Sequence, residues 1–463
     1  MLFRIEEGLW RNSLPTSWSK VYKNMRIHNW GKYPALEAKL SYYRPEQRIF
    51  EDLPWIPRGL GRSYGDASLG TNMVSCMRFN RFLDFDDENG LLYCEAGVTF
   101  EDLLTYLLPK GWFPPVTPGT KYVSLGGALA ANVHGKNHHQ EGAIARYVQS
   151  FELLTGSGEL LLCSRTQHAD LFWATLGGMG LTGMILRIKL QLKAVESAWM
   201  KTASIKARNL EEILLMLNEF ESDTYSVAWL DCLTKGKDKG RSILLKGEHV
   251  RLDQIPKVWD QKIPFSIPKK RKISVPFDFP SSVLNKYSAQ LFNYAFYHKQ
   301  LSQSVHRIMD YDAFFYPLDS IQHWNRIYGT SGFIQYQFVI PKEAGQKGLS
   351  HILNYIQQAG RGAFLTVLKL FGEEDEGLIS FPMAGYTLAM DFPIKAGLFA
   401  LLDELDHLVA DYGGRVYLAK DARLLPNMLI RMYPQLTAFR EVLNRYDPEG
   451  NIGSLQAQRL GIR

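Results

Sequence analysis

The chain has 463 residues, of which 46% are hydrophobic and 22% charged, the balance of a globular protein that buries a sizeable core. At about 150 residues per domain it holds roughly three folding units or two large ones, so a single small module is excluded. Lys and Arg number 53 against 47 Asp and Glu, a net charge of +6 that is dispersed apart from the run Lys269 to Lys272. This distribution suits an anionic ligand or a membrane surface better than the basic stripe of a nucleic-acid binder, so no nucleic-acid partner is expected.

Cys76, Cys94, Cys163 and Cys232 lie far apart without a CxxC pair, which suggests neither a zinc site nor a disulfide framework and makes a reducing compartment the default. Arg4, Glu6, Glu7 and Arg11 interrupt the N-terminus, and no uncharged run reaches the roughly 18 residues needed to span a bilayer. The expected location is the cytoplasm or the periphery of a membrane.

In chain order, a strand-like run near Leu91 to Cys94 leads to Thr99, placed to cap a helix with Glu101 and Asp102 in its first turn and a stop at Gly111. A helical stretch covers Asp170 to Leu176. From Met184, apolar residues 184, 186, 188, 190 and 192 alternate with Arg187, Lys189, Gln191 and Lys193, predicting a strand with one half-polar face. The pattern relaxes over Glu196 to Lys206 before a helix near Asn209 to Phe220, which places a domain boundary near residue 198. From Ile263 to Pro280, four prolines and the basic run predict a long mobile surface loop. Tyr287, Phe292, Tyr294, Phe296 and Tyr297 follow it, either as contacts to an anionic lipid head group or as a core helix behind a solvated loop. Pro393 is expected to open a helix with Leu398, Leu401, Leu405 and Val409 on one face, closed by Gly413 and Gly414.

Three glycine-rich segments carry the chemistry. In RGLGRSYGD, Gly59, Gly61 and Gly65 lie among Arg58 and Arg62; such glycines let backbone N–H groups approach an anion and arginines grip it bidentately, although a plain surface turn has the same composition. In PGTKYVSLGGALAANVHGKNHH, Ser124, Gly126 and Gly127 precede small residues at a helix start, a place where a diphosphate meets unpaired N–H groups. The nearby His134, Lys136, His138 and His139 have no carboxylate or thiolate at ligand spacing, so polar roles are favoured over a metal. In GGMGLTG, Gly178, Gly180 and Gly183 spell GxGxxG, but a helix precedes and a strand follows, the reverse of a nicotinamide-dinucleotide unit. These glycines shape a loop against a cofactor or a tight turn.

Taken together and in order, these segments resemble the vanillyl-alcohol-oxidase type of FAD-linked oxidoreductases. With LFWATLGGMGLTG, GFIQYQFVIP, KLFG, DFPIKAG and YLAKDAR they are similar, along nearly the whole chain, to the polyprenylphosphoryl-ribose 2-oxidases of that superfamily. The resemblance implies an α+β fold: a two-part FAD-binding domain (1–198 and 415–463) with an inserted substrate domain (199–414) built on an antiparallel sheet. It implies oxidation of the C2 hydroxyl of a lipid-linked ribose phosphate to a ketone, with a separate short-chain-dehydrogenase-type reductase completing an epimerisation to the arabinose form for cell-envelope glycans.

By the same resemblance, Arg58, Gly59, Gly61, Arg62, Ser63, Tyr64, Gly119, Thr120, Ser124, Gly126, Gly127, Asn132, His134, Gly135, Gly178, Gly180, Gly183 and Tyr417 are expected at FAD. Lys420, His134 and Lys136 are expected at the chemistry, with Lys420 either the base or a stabiliser of flavin charge. Trp229, Phe315, Gln335, Gln337, Lys369, Phe371, Thr387, Ala389 and Lys420 are expected at substrate. Alditol oxidases of the superfamily carry a flavin-linked histidine where this chain has Arg62, so FAD is expected to bind non-covalently. Thr387 and Ala389 stand where the mycobacterial pattern has Asn and Cys, and Phe315, followed by Tyr316, stands where it has Tyr. The lipid and sugar specificity is therefore open, with oxidation of a soluble sugar or alditol as the enzymatic alternative and a non-catalytic membrane-surface or nucleic-acid-binding protein as the other.

Overall fold

Alternating apolar runs build three large sheets, besides two short two-stranded ones, in the computed structural model, which describes residues 23–43, 54–255, 264–267, 270–280 and 282–463. Arg4, Glu6, Glu7, Arg11, Ile263, Pro268 and Lys269 lie outside the described residues. The first sheet has the spatial order Lys23–His28, Ala35–Tyr42, Asn72–Ser75, Trp55–Arg58, with the last three strands parallel. The second is antiparallel, in the order Phe82–Asp86, Leu91–Glu95, Met184–Gln191, Val148–Leu154, Leu160–Ser164. Its central strand buries Met184, Leu186, Ile188 and Leu190 and exposes Lys189, the face assignment read from its period of two.

The third sheet is antiparallel and eight-stranded: Ser304–Asp310, Trp199–Ala207, Ser242–His249, Tyr225–Leu230, Thr366–Phe371, Gly385–Pro393, Phe333–Pro341, Arg415–Val416. Every strand of it comes from Trp199 to Val416. The chain then returns to the first sheet, where Trp55 N donates to Asn451 O (2.8 Å) and Ile452 bridges to Trp55. This is an α+β architecture in which a C-terminal segment closes on the N-terminal part after a long sheet-forming insertion.

Local signals explain the helices. Thr99 caps Phe100–Leu107 through a reciprocal pair with Asp102, and a 3-10 turn then ends at Gly111 with φ 83°. Asn209 caps Leu210–Glu219 by accepting from the Glu212 N–H. Leu398–Asp411 ends at Tyr412 with Gly413 N donating to Ala410 O and Gly414 N to Val409 O. Its start differs from expectation: Pro393 is the last residue of strand Gly385–Pro393, and the helix begins five residues later behind Gly397. Buried Tyr386, Leu388, Met390 and Phe392 carry the strand to the proline, which sits at its end where a missing N–H costs least.

The segment after the basic run also departs from a core helix. Lys286–Lys299 buries only Ala289, Asn293 and Tyr297, a stripe one residue wide. Before it, Ile273–Ser274 pairs in parallel with Ile321–Gln322, and Lys270 forms an ion pair with Asp310. The proline-rich stretch is thus tied at its second half.

Candidate active site

Residues directly opposite each other across an antiparallel sheet share a face. In the large sheet this rule links Gln337 to Ala389, Ala389 to Val367, Val367 to Trp229 and Trp229 to Ile243. All five line one side of a cavity of about 1050 Å³, at the upper end of the range for small-molecule and cofactor sites. Gln335, two residues from Gln337 on the same face, joins them.

The glycine-rich loops form the opposite wall. Arg58, Gly59, Gly61, Arg62, Ser63 and Tyr64 line the cavity from the first loop, and Gly119, Thr120, Ser124, Gly126, Gly127, His134, Gly135 and Lys136 line it from the second. Gly180 and Gly183 reach it from the third. The loops touch: a Cβ on Gly59 would displace the Ser124 hydroxyl, and one on Gly65 would overlap the Asp421 backbone carbonyl, an approach that only glycine allows. The second contact docks the first loop on the turn that holds Lys420, and Tyr64 N donates to Ala419 O (3.0 Å) across the same seam.

Several expected residues are placed otherwise. Asn132 is fully buried behind the cavity, donating to Ser380 Oγ (2.7 Å) and Asp375 and accepting from Ala145 N, so it braces the loop. Gly178 packs on the Ala174 carbonyl. Phe371 lies behind His134 and His138, at ring-centroid distances of 4.7 and 4.4 Å. Thr387 accepts from Gln337 Nε2 (3.2 Å) and donates to Phe338 O (2.8 Å), which makes it a support for Gln337. At the start of helix Leu125–Ala130, Leu125 N and Gly126 N already donate to Val98 O and Ala96 O (2.7 and 2.8 Å). These two amides belong to the scaffold and are not free for an anion. The guanidinium of Arg58 likewise holds Asn29 Oδ1, Ser68 O and His28 O at 2.5, 3.0 and 3.0 Å, tying the loop to the first sheet.

The interior carries unusual electrostatics. Lys420 Nζ lies 3.7 Å from the centroid of the Tyr64 ring. Burial lowers its pKa to about 7, with Asp391 raising and Lys369 lowering it. Asp391 sits on the neighbouring strand, accepts from Gln335 Nε2 (2.7 Å), and is pushed up to about 7 by burial against the opposing effects of Gln335, Lys420 and Tyr328. Lys369 donates to Gly135 O (3.5 Å) and is lowered to about 8 by burial. Lys136, lowered to about 7 by burial and Lys369, donates to the carbonyls of Phe314 and Phe315 (2.8 and 3.1 Å). It and buried Phe315 therefore shape the wall through the backbone, and Tyr316 beside them bonds Thr117.

Gln337 Nε2 donates to His134 Nε2 (3.0 Å), which places the His134 proton on Nδ1. Burial, Lys369, His138 and Lys420 hold this imidazole neutral, and Nδ1 is buried without a partner. Trp229 Nε1 is likewise unpartnered. Tyr417 OH donates to Ala131 O (2.7 Å), joining the Lys420 turn to the second loop. Among the described residues no group of three His, Cys, Asp or Glu converges to hold a metal.

The sequence did not single out Asp391, Tyr328 or Asp319, and Phe292 and Phe296, read there as lipid-head-group contacts or core, line the cavity. Asp391 had a signal: in the strand 385–393 it shares the parity of Ala389, so a carboxylate falls on the cavity-facing set. Asp319 accepts from Thr120 Oγ1 and Lys121 N (2.7 and 2.9 Å), pinning the second loop to the large sheet's connections.

The residues fit FAD. Three loops of small residues meet along one wall, and two buried lysines, Lys369 and Lys420, line the same cavity without an ion pair among the described residues. Residues 50–164 match the family described as an FAD binding domain. The fold and this site define an FAD-dependent oxidoreductase. The chain is 38% identical over 455 residues to the decaprenylphosphoryl-β-D-ribose oxidase of Mycolicibacterium smegmatis, covering 94% of this chain and 97% of that one. An uncharacterized protein of Streptomyces coelicolor is 34% identical over 79% of this chain and 100% of its own length, and an L-gulonolactone oxidase of Scyliorhinus torazame is 30% identical over 29% and 30%. The chain belongs to the decaprenylphosphoryl-β-D-ribose oxidase family of vanillyl-alcohol-oxidase type FAD-linked oxidoreductases.

Proposed function

We propose that this oxidoreductase converts the C2 hydroxyl of a polyprenylphosphoryl ribose to a ketone, using non-covalently bound FAD. The observation that carries this reading is a single cavity with two characters: a polar end of Lys420, Gln335, Gln337 and Lys369, and an aromatic end of Trp229, Phe292 and Phe296. A sugar phosphate suits the first and a lipid chain the second. A soluble polyol would leave the aromatic end without a partner.

When bound, FAD supplies the acceptor for the hydride that leaves C2. The first and second glycine-rich loops would hold its diphosphate, with Arg62 supplying positive charge. Lys420 accepts the hydroxyl proton: burial leaves a large fraction of its amine neutral near pH 7, and Asp391 nearby steadies the ammonium that forms. Gln335 and Gln337 orient the sugar. His134, held neutral, accepts from Gln337 Nε2 and fixes that amide without adding a charge. Lys369 pairs with the substrate phosphate. The alcohol thus loses a hydride and a proton to separate acceptors, and the ketone leaves for a reductase of the short-chain dehydrogenase type, which returns the C2 hydroxyl with inverted configuration.

Under anaerobic conditions, polyprenylphosphoryl ribose is expected to bleach the bound flavin, and free ribose, sorbitol and xylitol are not. Bleaching by free polyols at comparable rates overturns the lipid-linked reading.

Arg62 occupies the place of the flavin-linked histidine, its guanidinium 4.2 Å from the Trp30 ring centroid. Arginine forms no such bond, so acid precipitation is expected to leave a colourless pellet and a yellow supernatant; colour in the pellet refutes non-covalent binding.

A further inference from the structure

The helix Lys286–Lys299 inverts the usual surface arrangement. Its buried positions are three, while Tyr287 is 79%, Leu291 69% and Tyr294 56% exposed. Positions 287, 291 and 294 are spaced by four and three, so they form one continuous outward stripe. Singly exposed apolar residues are ordinary, but an aligned set on one helix marks a surface that meets something apolar.

Two neighbouring features say what. First, charge: the helix carries Lys286 and Lys299 and no acidic residue, and exposed Arg271 precedes it. Among the described residues none of these three cations makes an ion pair. An apolar stripe flanked by unpaired cations has the composition of a helix lying in an anionic lipid interface, with aromatic rings at head-group depth. Second, continuity: the same helix turns Phe292 and Phe296 toward the active-site cavity, where Phe296 meets Trp229 at 4.7 Å between centroids. One face of the helix lines the cavity mouth and the adjacent face is bare.

The geometry points to the outward face of helix Lys286–Lys299 as a docking surface for an anionic phospholipid bilayer, which sets the aromatic mouth of the cavity at the lipid boundary. A lipid-linked substrate would then enter along Phe292 and Phe296 without its chain crossing water. The inference rests on the proposed lipid-linked substrate for its purpose but on the helix alone for its existence.

The test is vesicle flotation of the full, FAD-loaded chain with phosphatidylcholine vesicles and with vesicles containing phosphatidylglycerol. Binding is expected only to the anionic vesicles and to weaken with salt. Two triple variants, Tyr287→Ser/Leu291→Ser/Tyr294→Ser and Arg271→Gln/Lys286→Gln/Lys299→Gln, are each expected to lose at least about tenfold in partitioning. Flavin content and bleaching by a short-chain soluble substrate should be unchanged in both. Unchanged flotation in the variants overturns the proposal, as does wild-type protein that ignores anionic vesicles. A concentration-dependent dimer in sedimentation that the serine variant abolishes also overturns it, by assigning the stripe to a second copy. Failure of the oxidation reading would instead appear as absent bleaching with flotation intact.

Discussion

Lys420→Met is expected to slow substrate-driven flavin bleaching by roughly 10²–10⁴-fold, a loss of about 3–5 kcal/mol of transition-state stabilisation, while the protein stays folded and yellow. Methionine keeps the length and apolar contact of the stem against Tyr64 but can neither take nor hold a proton. Rapid mixing under anaerobic conditions separates this step from reoxidation. The pH dependence decides between the two roles a buried lysine could have. With Lys420 lowered to about 7, a base gives bleaching that rises with pH through about 7, as the amine loses its proton; a stabiliser of negative charge gives the opposite slope. Asp391 titrates in the same range, so the profile belongs to the pair, and Asp391→Asn is expected to move the midpoint downward by removing the carboxylate that favours the ammonium. A profile that falls as pH rises through 7 removes the base assignment and leaves the cavity reading intact.

The parts of this site that were legible in the sequence are those where a local rule acts alone. Glycine-rich loops announce close backbone approach because no other residue survives it, and Gly65 meets the Asp421 carbonyl for that reason. The strand from Met184 and the capped helix after Thr99 follow from periodicity and one side-chain bond. What stayed hidden depends on pairing between distant segments. Strand register places Asp391 opposite Gln335, and no local pattern states that register. The amides of Leu125 and Gly126 looked free for an anion but are taken by Val98 and Ala96, partners visible only once the loop is folded. Pro393, expected to open a helix, instead ends a strand, because the apolar parity of the preceding eight residues carries the strand up to it. The aromatic segment after the basic run had two readings, lipid-head-group contacts or a core helix, because burial follows from what packs on it, and only one stripe of the helix is covered.

Arg459→Met is expected to destabilise the protein by about 3 kcal/mol and to accelerate FAD loss, although Arg459 does not line the cavity. Its guanidinium forks onto Asp66 through Nε and Nη2 (3.0 and 2.8 Å), reaches Asp421 (2.7 Å), and donates from Nη1 to Leu424 O (2.6 Å). Asp66 closes the first glycine-rich loop and Asp421 follows Lys420, so one side chain from the last helix fastens both halves of the site. The carboxylates are 4% and 2% exposed, and burial alone would raise both. Arg459 and Arg423 instead hold Asp421 below its ordinary value, while Arg459 only partly offsets burial at Asp66. Removing Arg459 leaves two buried like charges facing each other, the arrangement that makes loss of one partner far costlier than the pair is worth. The loss falls at the low end of that range because Arg459 itself is a quarter exposed. Arg431→Met, which breaks an exposed pair with Asp411 on a neighbouring helix, is the control and is expected to change stability by less than about 1 kcal/mol. Thermal melts of the FAD-loaded protein and the rate of flavin release on dilution read both effects; equal melts and equal release for the two variants would mean that the loop and the Lys420 turn hold together without this clamp.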